Sequence, residues 1–378
     1  MLLRRHFEAE HHLFRDNFRR FLQEEVIPHQ RSWEAAGQVP KSVWRRAGEL
    51  GFLATFVDPE YGGAGCEDFR YEQIVAEELA YANEWGLALG LHSSLVAPYL
   101  ATFGSAAQKR RYLPGVVSGE CVLAVAMTEP GTGSDLSAIR TRAEDCCDHW
   151  LLNGAKTFIS NGVNADLVIV AARTHPTEKR GLSLFLVEKG WAGFEVGKKL
   201  EKIGQHSQDT AELFFRDVKI PRENLLGELH GGFKMLMRML APERLTCAVG
   251  AVGAARSAFD LTLAYVKERE AFGQKLLDFQ NTRFELAAIK TELDVGQAYV
   301  DRLVVEHNLG ALDAVDAAAA KLWTTEMLGR VADRCLQLFG GYGYMEEYPI
   351  SRLWTAARVL RIYAGTSEIM KEIIGRSL

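Results

Sequence analysis

The sequence lacks the cysteine arrangement of a metal site or of a disulfide-stabilised secreted protein. Its 378 residues include six cysteines, none in a Cys-x-x-Cys pair and none at zinc-site spacing from a histidine. It also has no excess of positive charge, because 44 basic residues stand against 49 acidic ones and the net charge is −5. Phosphate binding needs a basic face. We therefore expect reduced thiols, no metal centre and no nucleic-acid partner.

Two features of exported and membrane proteins are also missing. No apolar run reads as long enough to cross a bilayer, and the N-terminal stretch has no signal-peptide hydrophobic region or cleavage site. That stretch predicts an amphipathic helix instead. Acidic residues interrupt its basic face, which argues against a membrane-surface helix. The apolar positions at helical spacing are Leu13, Phe14, Phe18, Phe21 and Leu22.

What the sequence does contain is a change of periodicity along the chain. Apolar residues recur every three or four positions up to about residue 120. Short β-rich runs follow, with Asn-Gly pairs at 153–154 and 161–162 that predict hairpin turns. Long helical patterns then return at 279–307 and 315–339. We predict an α+β multidomain protein with an α-helical domain (1–120), a central β-barrel or sandwich domain (121–230) and a C-terminal four-helix bundle (231–378).

Several short stretches could bind a ligand, and each also has an ordinary structural interpretation. The loop "AMTEPGTGSDLSAIRT" offers hydroxyls and backbone N–H groups for an anion, or is a plain turn. It is not a G-x-G-x-x-G fingerprint. In "KTFISNG", Phe158 and Ser160 share one strand face. Arg269 and Phe272 are spaced one helical turn apart, and "QLFGGYGY" ends a helix at paired glycines.

Taken together, five stretches make the chain resemble the acyl-CoA dehydrogenase family over nearly its whole length. They are "AMTEPGTGSDL", "NGAKTFISNG", "KIGQHSQDTAELFFRDVKIPRENLLGE", "REAFGQKLLDFQ" and "QLFGGYGYMEEYPISRLWTAARVLRIYAGTSEIM". Each is moderately specific, and their order and separation are highly specific. The resemblance implies the three-domain fold described above, a homotetramer, and FAD as cofactor.

The resemblance also implies which positions contact the cofactor. Met127, Thr128 and Ser134 would contact FAD from the first loop, and Phe158 and Ser160 would flank the flavin. A second group would reach the FAD of a neighbouring subunit, and a third would lie near its adenine-side phosphates. The second group is Arg269, Phe272, Gln280, Gln337, Gly340 and Gly341; the third is Thr366 and Glu368.

The implied reaction is α,β-dehydrogenation of an acyl-CoA thioester to the trans-2-enoyl-CoA. A carboxylate removes the α-proton while the β-carbon passes hydride to flavin N5. Hydrogen-bond donors must stabilise the thioester oxygen as enolate character develops. In the family these donors are a flavin ribityl hydroxyl and a backbone N–H, and electron-transferring flavoprotein is the expected acceptor.

The catalytic base is the point at which this sequence departs from many members. They carry a Glu before the Gly-Thr of the last motif, where "RIYAGTSEIM" has Ala364. Members of the long-chain and isovaleryl-CoA types carry a Glu-Arg pair in an earlier helix instead, and "APERL" matches them at Glu243 and Arg244. We predict Glu243 as the base, although a surface carboxylate at a helix start is the ordinary fate of a Glu after Pro. Ser134, Arg244, Ala364 and Gly365 are the predicted substrate contacts.

Pro242 predicts where that helix starts. Proline favours the first helical position, so Glu243 should lie in the first turn. There the helix dipole lowers the pKa of the carboxyl group, while burial against flavin and acyl chain raises it.

The segment Trp85 to Leu100 should line the acyl pocket. Its small residues Ala88, Gly90 and Ser94 favour a medium or long chain, and a short branched chain remains open. Two other readings also remain open: an acyl-CoA oxidase that uses oxygen, and a non-catalytic flavin or acyl-CoA scaffold suggested by Ala364. We expect a cytoplasmic location in a bacterium, or the mitochondrial matrix for a processed eukaryotic form. The residues His92, His206, Cys146 and Cys147 receive no role.

Overall fold

The computed structural model describes residues 4–378 and begins with a helical region. Residues Leu91–Val96 form a π-helical turn that runs directly into the fifth helix. The first helix buries Phe18 and Phe21, as predicted, but Leu13 is 63% exposed and does not belong to its buried face. The helices are α1 (Ala9–Phe21), α2 (Gln30–Ala36), α3 (Lys41–Glu49), α4 (Phe69–Tyr81), α5 (Ala97–Phe103) and α6 (Ala106–Ser118).

The middle of the chain forms one eight-stranded, mostly antiparallel sheet. Its order is β6-β7-β3-β2-β4-β5-β8, with β1 paired parallel to β4. The strands are β1 (Leu123–Ala126), β2 (Arg142–Asp145), β3 (His149–Ser160), β4 (Leu167–Arg173), β5 (Leu182–Glu188), β6 (Phe194–Lys199), β7 (Thr210–Pro221) and β8 (Leu225–Leu226).

Neither Asn-Gly pair closes the hairpin predicted for it. Gly154 lies inside β3, where the pairing with β7 shifts register between Leu152 and Gly154. An extra residue in one strand forms such a bulge, and Gly tolerates its φ of +152°. Asn161 does begin a turn after β3, but β3 pairs with β2 and β7, and β4 pairs with β5. The Asn-Gly pairs therefore predicted one turn correctly, at Asn161, but predicted the wrong strand pairing.

The last region is a bundle of three long helices and shorter ones. The helix α7 (Gly232–Glu268) leads through the small hairpin β9 (Glu270–Ala271) and β10 (Gln274–Lys275) to α8 (Gln280–Asn308) and α9 (Ala314–Leu338). The helix α10 (Pro349–Ala357) is the fourth member, packed on α7 and α9, and α11 (Ser367–Gly375) packs on α9. The predicted patterns at 279–307 and 315–339 are confirmed as α8 and α9.

Small residues on α7 allow α4 to approach closely. A Cβ at Gly253 would lie 2.7 Å from the carbonyl oxygen of Glu77, and one at Gly250 would lie 4.0 Å from the Ala80 Cβ. The contact joins the first region to the bundle. It also sets α4 beside the part of α7 that follows Glu243.

The position of Pro242 in α7 differs from the prediction. The helix already begins at Gly232, so Pro242 lies in its interior and Glu243 is not in a first turn. An interior proline lacks the N–H that would bond four residues back and favours a kink. Proline usually prefers the first turn of a helix, but the packing around α7 tolerates it in the interior. The expected lowering of the Glu243 pKa by a helix N-terminus therefore does not apply.

The long helix α7 also corrects the expectation about apolar runs. Among residues 4–378 it is the one helix long and apolar enough, by length and composition alone, to cross a membrane. Of its most apolar window, 56% is buried inside the fold. Core helices of bundles meet the same criterion.

Candidate active site

Glu243 is a buried carboxyl group with a single hydrogen-bond partner among the described residues. Its side chain is held in α7 with 4% of the residue exposed, and Oε1 accepts a 3.3 Å bond from the hydroxyl of Tyr99 in α5. Burial raises the pKa of Glu243 to about 7, and the Tyr99 bond and the neighbouring Arg244 charge only partly oppose that rise. A carboxyl group with a pKa near neutrality is suited to accept and return a proton at physiological pH.

Arg244 follows in the same helix and is also buried. Burial lowers the pKa of its guanidinium, and the negative charge of Glu243 partly opposes this change. The Nε atom of Arg244 is buried and has no hydrogen-bond partner among the residues that the structure describes. A buried polar atom without a partner is costly, so a polar ligand at this point would satisfy it.

The turn that contains Ala364 lies against the same stretch of α7. Although 41% of Tyr363 is exposed, its hydroxyl lies next to the Cys247 thiol, and desolvation there raises the pKa of the hydroxyl well above its usual value. Cys247 follows Glu243 by four residues and so shares its helix face. Lys321 of α9 is fully buried, and its Nζ donates a 2.6 Å bond to the carbonyl of Gly365. Two chain segments 120 positions apart in the sequence thus meet beside Glu243.

The backbone of this turn has an unusual conformation. Ala364 has a φ of +53° and Gly365 has a φ of +93°. A non-glycine residue in the left-handed region is uncommon and is maintained by its surroundings. Lys321 supplies part of that support. The backbone N–H groups of the turn are consequently held in one orientation.

A buried ion pair holds the first predicted cofactor loop. Lys156 of β3 donates from Nζ to the carbonyl of Met127 at 3.0 Å and to Glu129 Oε1 at 2.9 Å. The Glu129 carboxylate also accepts from the backbone N–H groups of Arg140 and Thr141. Burial lowers the pKa of Lys156 to about 8, although Glu129 opposes this, and Lys156 with the backbone donors lowers the pKa of Glu129.

The loop itself presents small and polar groups to solvent. Thr128 is half-buried, its carbonyl accepts from the N–H of Thr157 at 3.0 Å, and Ser134 is exposed beyond it. Added Cβ atoms at Gly131 and Gly133 would meet nothing within 4 Å. This open, anchored loop fits the approach of a ligand to its backbone, while a plain exposed turn has the same local geometry.

Phe158 and Ser160 are both more exposed than Ile159, which lies between them in β3. Phe158 is 67% exposed, Ile159 is buried and Ser160 is half-buried. Phe158 also has a φ of +58°, at a register shift between Lys156 and Ile159. An exposed aromatic ring on strained backbone indicates a position that is kept for a ligand rather than for the core.

A cleft at the end of the bundle brings four of the other predicted cofactor residues together. It has a volume of about 620 Å³ at the end of the bundle, and Arg269, Gln337, Gly340 and Gly341 are among the residues that line it. The Arg269 guanidinium lies 5.6 Å from the ring centre of Tyr342 in the same cleft. This cleft combines a cation, an amide and open glycine backbone, a set that suits an anionic group.

The relation of Arg269 to Phe272 is not the predicted helical turn. The helix α7 ends at Glu268, and Phe272 lies at the tip of the β9–β10 hairpin with 96% of its surface exposed. Gln280 is the exposed first residue of α8. Near the chain end, Thr366 caps α11 by accepting from the N–H of Ile369, and Glu368 is exposed.

The predicted acyl-lining segment lies against α7. Gly90 faces Thr246, since an added Cβ would lie 3.8 Å from the Thr246 methyl group. Leu91 and Leu95 are only partly buried and pack, with Met127, against the apolar cluster that contains Tyr99. A π-helical turn such as Leu91–Val96 is common at functional sites. His92 is structural, because its ring bonds to the carbonyl of Val116 and the N–H of Leu123.

Four important residues were absent from the predicted site. Tyr99 is the hydrogen-bond partner of Glu243, Lys156 and Glu129 anchor the first loop, and Lys321 holds the turn at Gly365. The only sequence signal for the Lys156–Glu129 ion pair is that each charged residue stands in an otherwise apolar run. No local pattern connects Tyr99 with Glu243, because 144 positions separate them.

The residues present fit a flavin nucleotide and an acyl thioester. The fit rests on the unpaired Nε of Arg244, the exposed ring of Phe158, the open glycines of the first loop and the cleft at Gln337. Planar rings, phosphates and a carbonyl would each find a suitable partner among them. No His or Cys cluster competes as a metal site in the described chain; the one acidic group that could hold an ion, at Glu8, Glu10 and His11, has both His11 nitrogens already bonded.

Three family models together match almost the whole chain. They are described as the acyl-CoA dehydrogenase N-terminal domain (residues 8–120), middle domain (residues 124–218) and C-terminal domain (residues 230–378).

Individual proteins match over the same length. The chain is 47% identical to the long-chain specific acyl-CoA dehydrogenase, mitochondrial, of Sus scrofa, covering 100% of this chain and 88% of that protein. It is 36% identical to the isovaleryl-CoA dehydrogenase, mitochondrial, of Oryza sativa, covering 98% and 92%.

Solved structures agree with these matches. An acyl-CoA dehydrogenase from Geobacillus kaustophilus has a TM-score of 0.97 and 48% identity, covering 99% of both chains. A glutaryl-CoA dehydrogenase from Mycobacterium smegmatis, solved in complex with FADH2, has a TM-score of 0.92 and 28% identity, covering 98% of this chain and 95% of that one.

Proposed function

Because this chain belongs to the acyl-CoA dehydrogenase family, we propose that it converts acyl-CoA thioesters to trans-2-enoyl-CoA with FAD, and that Glu243 removes the α-proton. The preferred substrate is a medium or long acyl chain, and a short branched chain is the alternative. The observation that carries the proposal is the Glu243 carboxyl group, buried beside Tyr99 with a pKa of about 7.

Glu243 acts as the base by virtue of its surroundings. Substrate binding excludes the remaining water, and the buried carboxylate then gains by taking up a proton from the α-carbon. Tyr99 orients the carboxyl oxygen through its hydrogen bond. Arg244 positions the adjacent helix surface and offers its unpaired Nε to the polar part of the ligand.

Ala364 contributes its backbone rather than its side chain. Its N–H donates to the thioester carbonyl oxygen and stabilises the negative charge that develops there. Lys321 keeps the turn in place through the Gly365 carbonyl. The methyl side chain leaves room for the carboxylate that reaches the α-carbon from α7.

The cofactor would be held from two sides. Met127, Thr128, Ser134, Phe158 and Ser160 would contact the flavin, and when bound FAD supplies the acceptor for the hydride of the β-carbon. The cleft at the end of the bundle would receive part of the FAD of a neighbouring subunit in a homotetramer. That set is Arg269, Phe272, Gln280, Gln337, Gly340 and Gly341, with Thr366 and Glu368 on the phosphate side. Electron-transferring flavoprotein is the proposed electron acceptor.

The substitution Glu243→Gln tests the role of the base. The variant should keep the yellow flavin spectrum and bind acyl-CoA, but lose flavin bleaching under anaerobic conditions by three orders of magnitude or more, roughly the contribution of general base catalysis. The exposed residue Glu120 provides the matched control as Glu120→Gln. Normal turnover by Glu243→Gln would contradict the proposal.

The same measurements separate the alternatives. Hydrogen peroxide formation without an added electron carrier would identify an oxidase. Failure of the unmodified protein to bleach with any acyl-CoA would identify a binding scaffold. Rates over a series of straight and branched acyl chains determine the chain preference.

A further inference from the structure

A second carboxyl group, half-buried on α4, lies near Glu243 and has no part in the proposed chemistry. Glu72 of α4 accepts a hydrogen bond at Oε2 from the hydroxyl of Ser94, in the π-helical turn of the segment that faces α7. Burial raises the pKa of Glu72 to about 7, which the Ser94 bond only partly opposes. The pair combines one hydroxyl and one carboxyl oxygen that has no partner among residues 4–378.

The neighbouring contacts place this pair along α7, just beyond Glu243. The helices α4 and α7 contact each other and run in the same direction. Ala76 lies beside Gly250, and further along the hydroxyl of Tyr81 donates to Asp260 at 3.0 Å. Glu72 lies one turn before Ala76 and therefore lies level with Thr246, one turn before Gly250. From the other side Gly90 faces Thr246, and Ser94 follows Gly90 by one turn. Thr246 is one turn, about 5 Å along the helix, from Glu243.

The other polar groups of the same segment point elsewhere. Ser93 accepts from the backbone N–H of Ala54, and His92 bonds to Val116 and Leu123. Leu91 and Leu95 are partly buried and pack against the apolar cluster, so the rest of the segment is apolar. Ser94 is thus the hydroxyl of the segment that turns toward α4.

Apart from Ser94, Glu72 has no hydrogen-bond or ion-pair partner in the described part of the chain. Asp68 already caps α4, and no backbone N–H or basic side chain there bonds to Glu72. Nearby buried carboxylates differ: Glu77 is paired with Arg4 and Arg15, and Glu84 accepts from the N–H groups of Gly86 and Leu87. Glu72 is half-buried, so part of its side chain remains open to a ligand.

We propose that Glu72 and Ser94 form a distal polar subsite of the acyl cleft, which binds a hydroxyl group carried on the acyl chain. The inference rests on the proposed function, since it places the acyl chain of the substrate that Glu243 deprotonates beside Glu72 and Ser94. The hydroxyl of the chain donates to the free oxygen of Glu72 and the Ser94 hydroxyl stays on the other oxygen. Hydroxylated acyl-CoA thioesters are therefore a substrate class of this protein.

A neutral hydroxyl fits the subsite better than a charged group. A second carboxylate on the chain would repel ionised Glu72, and the two would compete for one proton. An ammonium group would have to lose its hydration for a single buried partner, a cost that ion pairing often fails to offset. A hydroxyl donates to Glu72 in its ionised form and accepts from it in its protonated form.

Binding of matched chain pairs tests the subsite. The FAD-loaded protein with Glu243→Gln binds acyl chains without turning them over. On that background, calorimetry would give Kd for octanoyl-, decanoyl-, dodecanoyl- and tetradecanoyl-CoA and for their ω-hydroxy counterparts. The hydroxylated chain should bind as well as its plain counterpart, or better, at one length, where the hydroxyl reaches Glu72.

Glu72→Leu should then weaken binding of that hydroxylated chain by about tenfold to a hundredfold, the cost of burying an unpaired hydroxyl, and leave the plain chain within about threefold. Glu72→Gln and Ser94→Ala should give smaller losses and serve where Glu72→Leu does not fold. Ser93→Ala is the matched control and should change neither chain.

An equal ratio of hydroxylated to plain Kd values in the parent, Glu72→Leu and Glu72→Gln proteins would overturn the subsite. The proposed function has a separate outcome. If the protein with intact Glu243 fails to bleach with every plain chain, the dehydrogenase proposal fails, whatever the Kd ratios show.

Discussion

The phenolic hydroxyl of Tyr99 donates a 3.3 Å hydrogen bond to Oε1 of Glu243, and it is the only hydrogen bond of that carboxyl group in the described chain. The bond joins α5 of the first region to α7 of the bundle. It stabilises the ionised form of Glu243, while burial favours the protonated form. The balance leaves the pKa of Glu243 at about 7.

Tyr99→Phe should move the acidic limb of the pH profile to higher pH. Loss of the hydroxyl removes an influence that lowers the pKa of Glu243, so the carboxyl group ionises at higher pH than in the parent. At neutral pH, kcat/KM should fall by about three- to tenfold, and it should recover at alkaline pH. Tyr112→Phe, which removes a hydroxyl that donates to Glu188 rather than to Glu243, is the control. An acidic limb that does not move would show that Tyr99 leaves the base unaffected.

The base should be movable to the turn at Ala364. Glu243→Gly alone should abolish flavin bleaching, and adding Ala364→Glu should restore part of it, because Tyr363 beside Cys247 already places the turn against the α7 face of Glu243. The positive φ of Ala364 is present with either side chain, so the exchange adds little backbone strain. Rates of anaerobic bleaching measure the effect. A double variant as inactive as Glu243→Gly would show that the turn does not reach the α-carbon.

Breaking the Lys156–Glu129 pair should destabilise the protein more than removing both charges. Lys156→Met leaves the Glu129 carboxylate buried without its cation, and such a loss costs about 3–5 kcal/mol. The double variant Lys156→Met with Glu129→Gln should recover part of that loss. Urea unfolding and the Kd of FAD report it, since the pair holds the carbonyl of Met127. Equal stability of the single and double variants would indicate that the charges do not interact.

Glu72→Gln should stabilise the protein at alkaline pH and leave it unchanged in acid. The pKa of Glu72 is raised from 4.5 to about 7, so its contribution is fully present below 4.5 and is lost as the pH rises through 7. Relief of the buried charge should increase the free energy of unfolding by up to about 3 kcal/mol at about pH 8 and by little at about pH 5. Urea unfolding at the two pH values provides the comparison.

Glu77→Gln is the opposite case and serves as the control for Glu72. Its pKa is lowered from 4.5 to about 2 by Arg4 and Arg15, which outweigh burial. Its stabilisation is present above 4.5 and is lost as the pH falls through 2. The variant should therefore lose stability at both pH values. A gain at about pH 8 in both variants would exclude the assignment of the two pKa shifts.

Local pattern predicted much of the secondary structure. The 3.6-residue repeat located α8 and α9 within one residue at their ends, because buried long helices keep a regular apolar stripe. The β-rich runs predicted after residue 120 include β5 (Leu182–Glu188) and β7 (Thr210–Pro221), since β-branched and aromatic residues favour strands. Pairing was not predictable: Gly154 reads as a turn but lies in a bulge, because β3 is stabilised by β7 rather than by its neighbour in sequence.

The sequence by itself determined the family, the order of the three regions and the candidate base, since the Glu-Arg pair and the alanine at position 364 are local features that need no fold to be read. Only the tertiary structure decided the state of that base. Pro242 suggests a helix start and a lowered pKa, whereas the packing of α4, α5 and the Ala364 turn around α7 buries Glu243 beside Tyr99 and raises its pKa. Burial and long-range hydrogen bonds depend on chain segments more than a hundred positions apart, and no local pattern in the sequence encodes them.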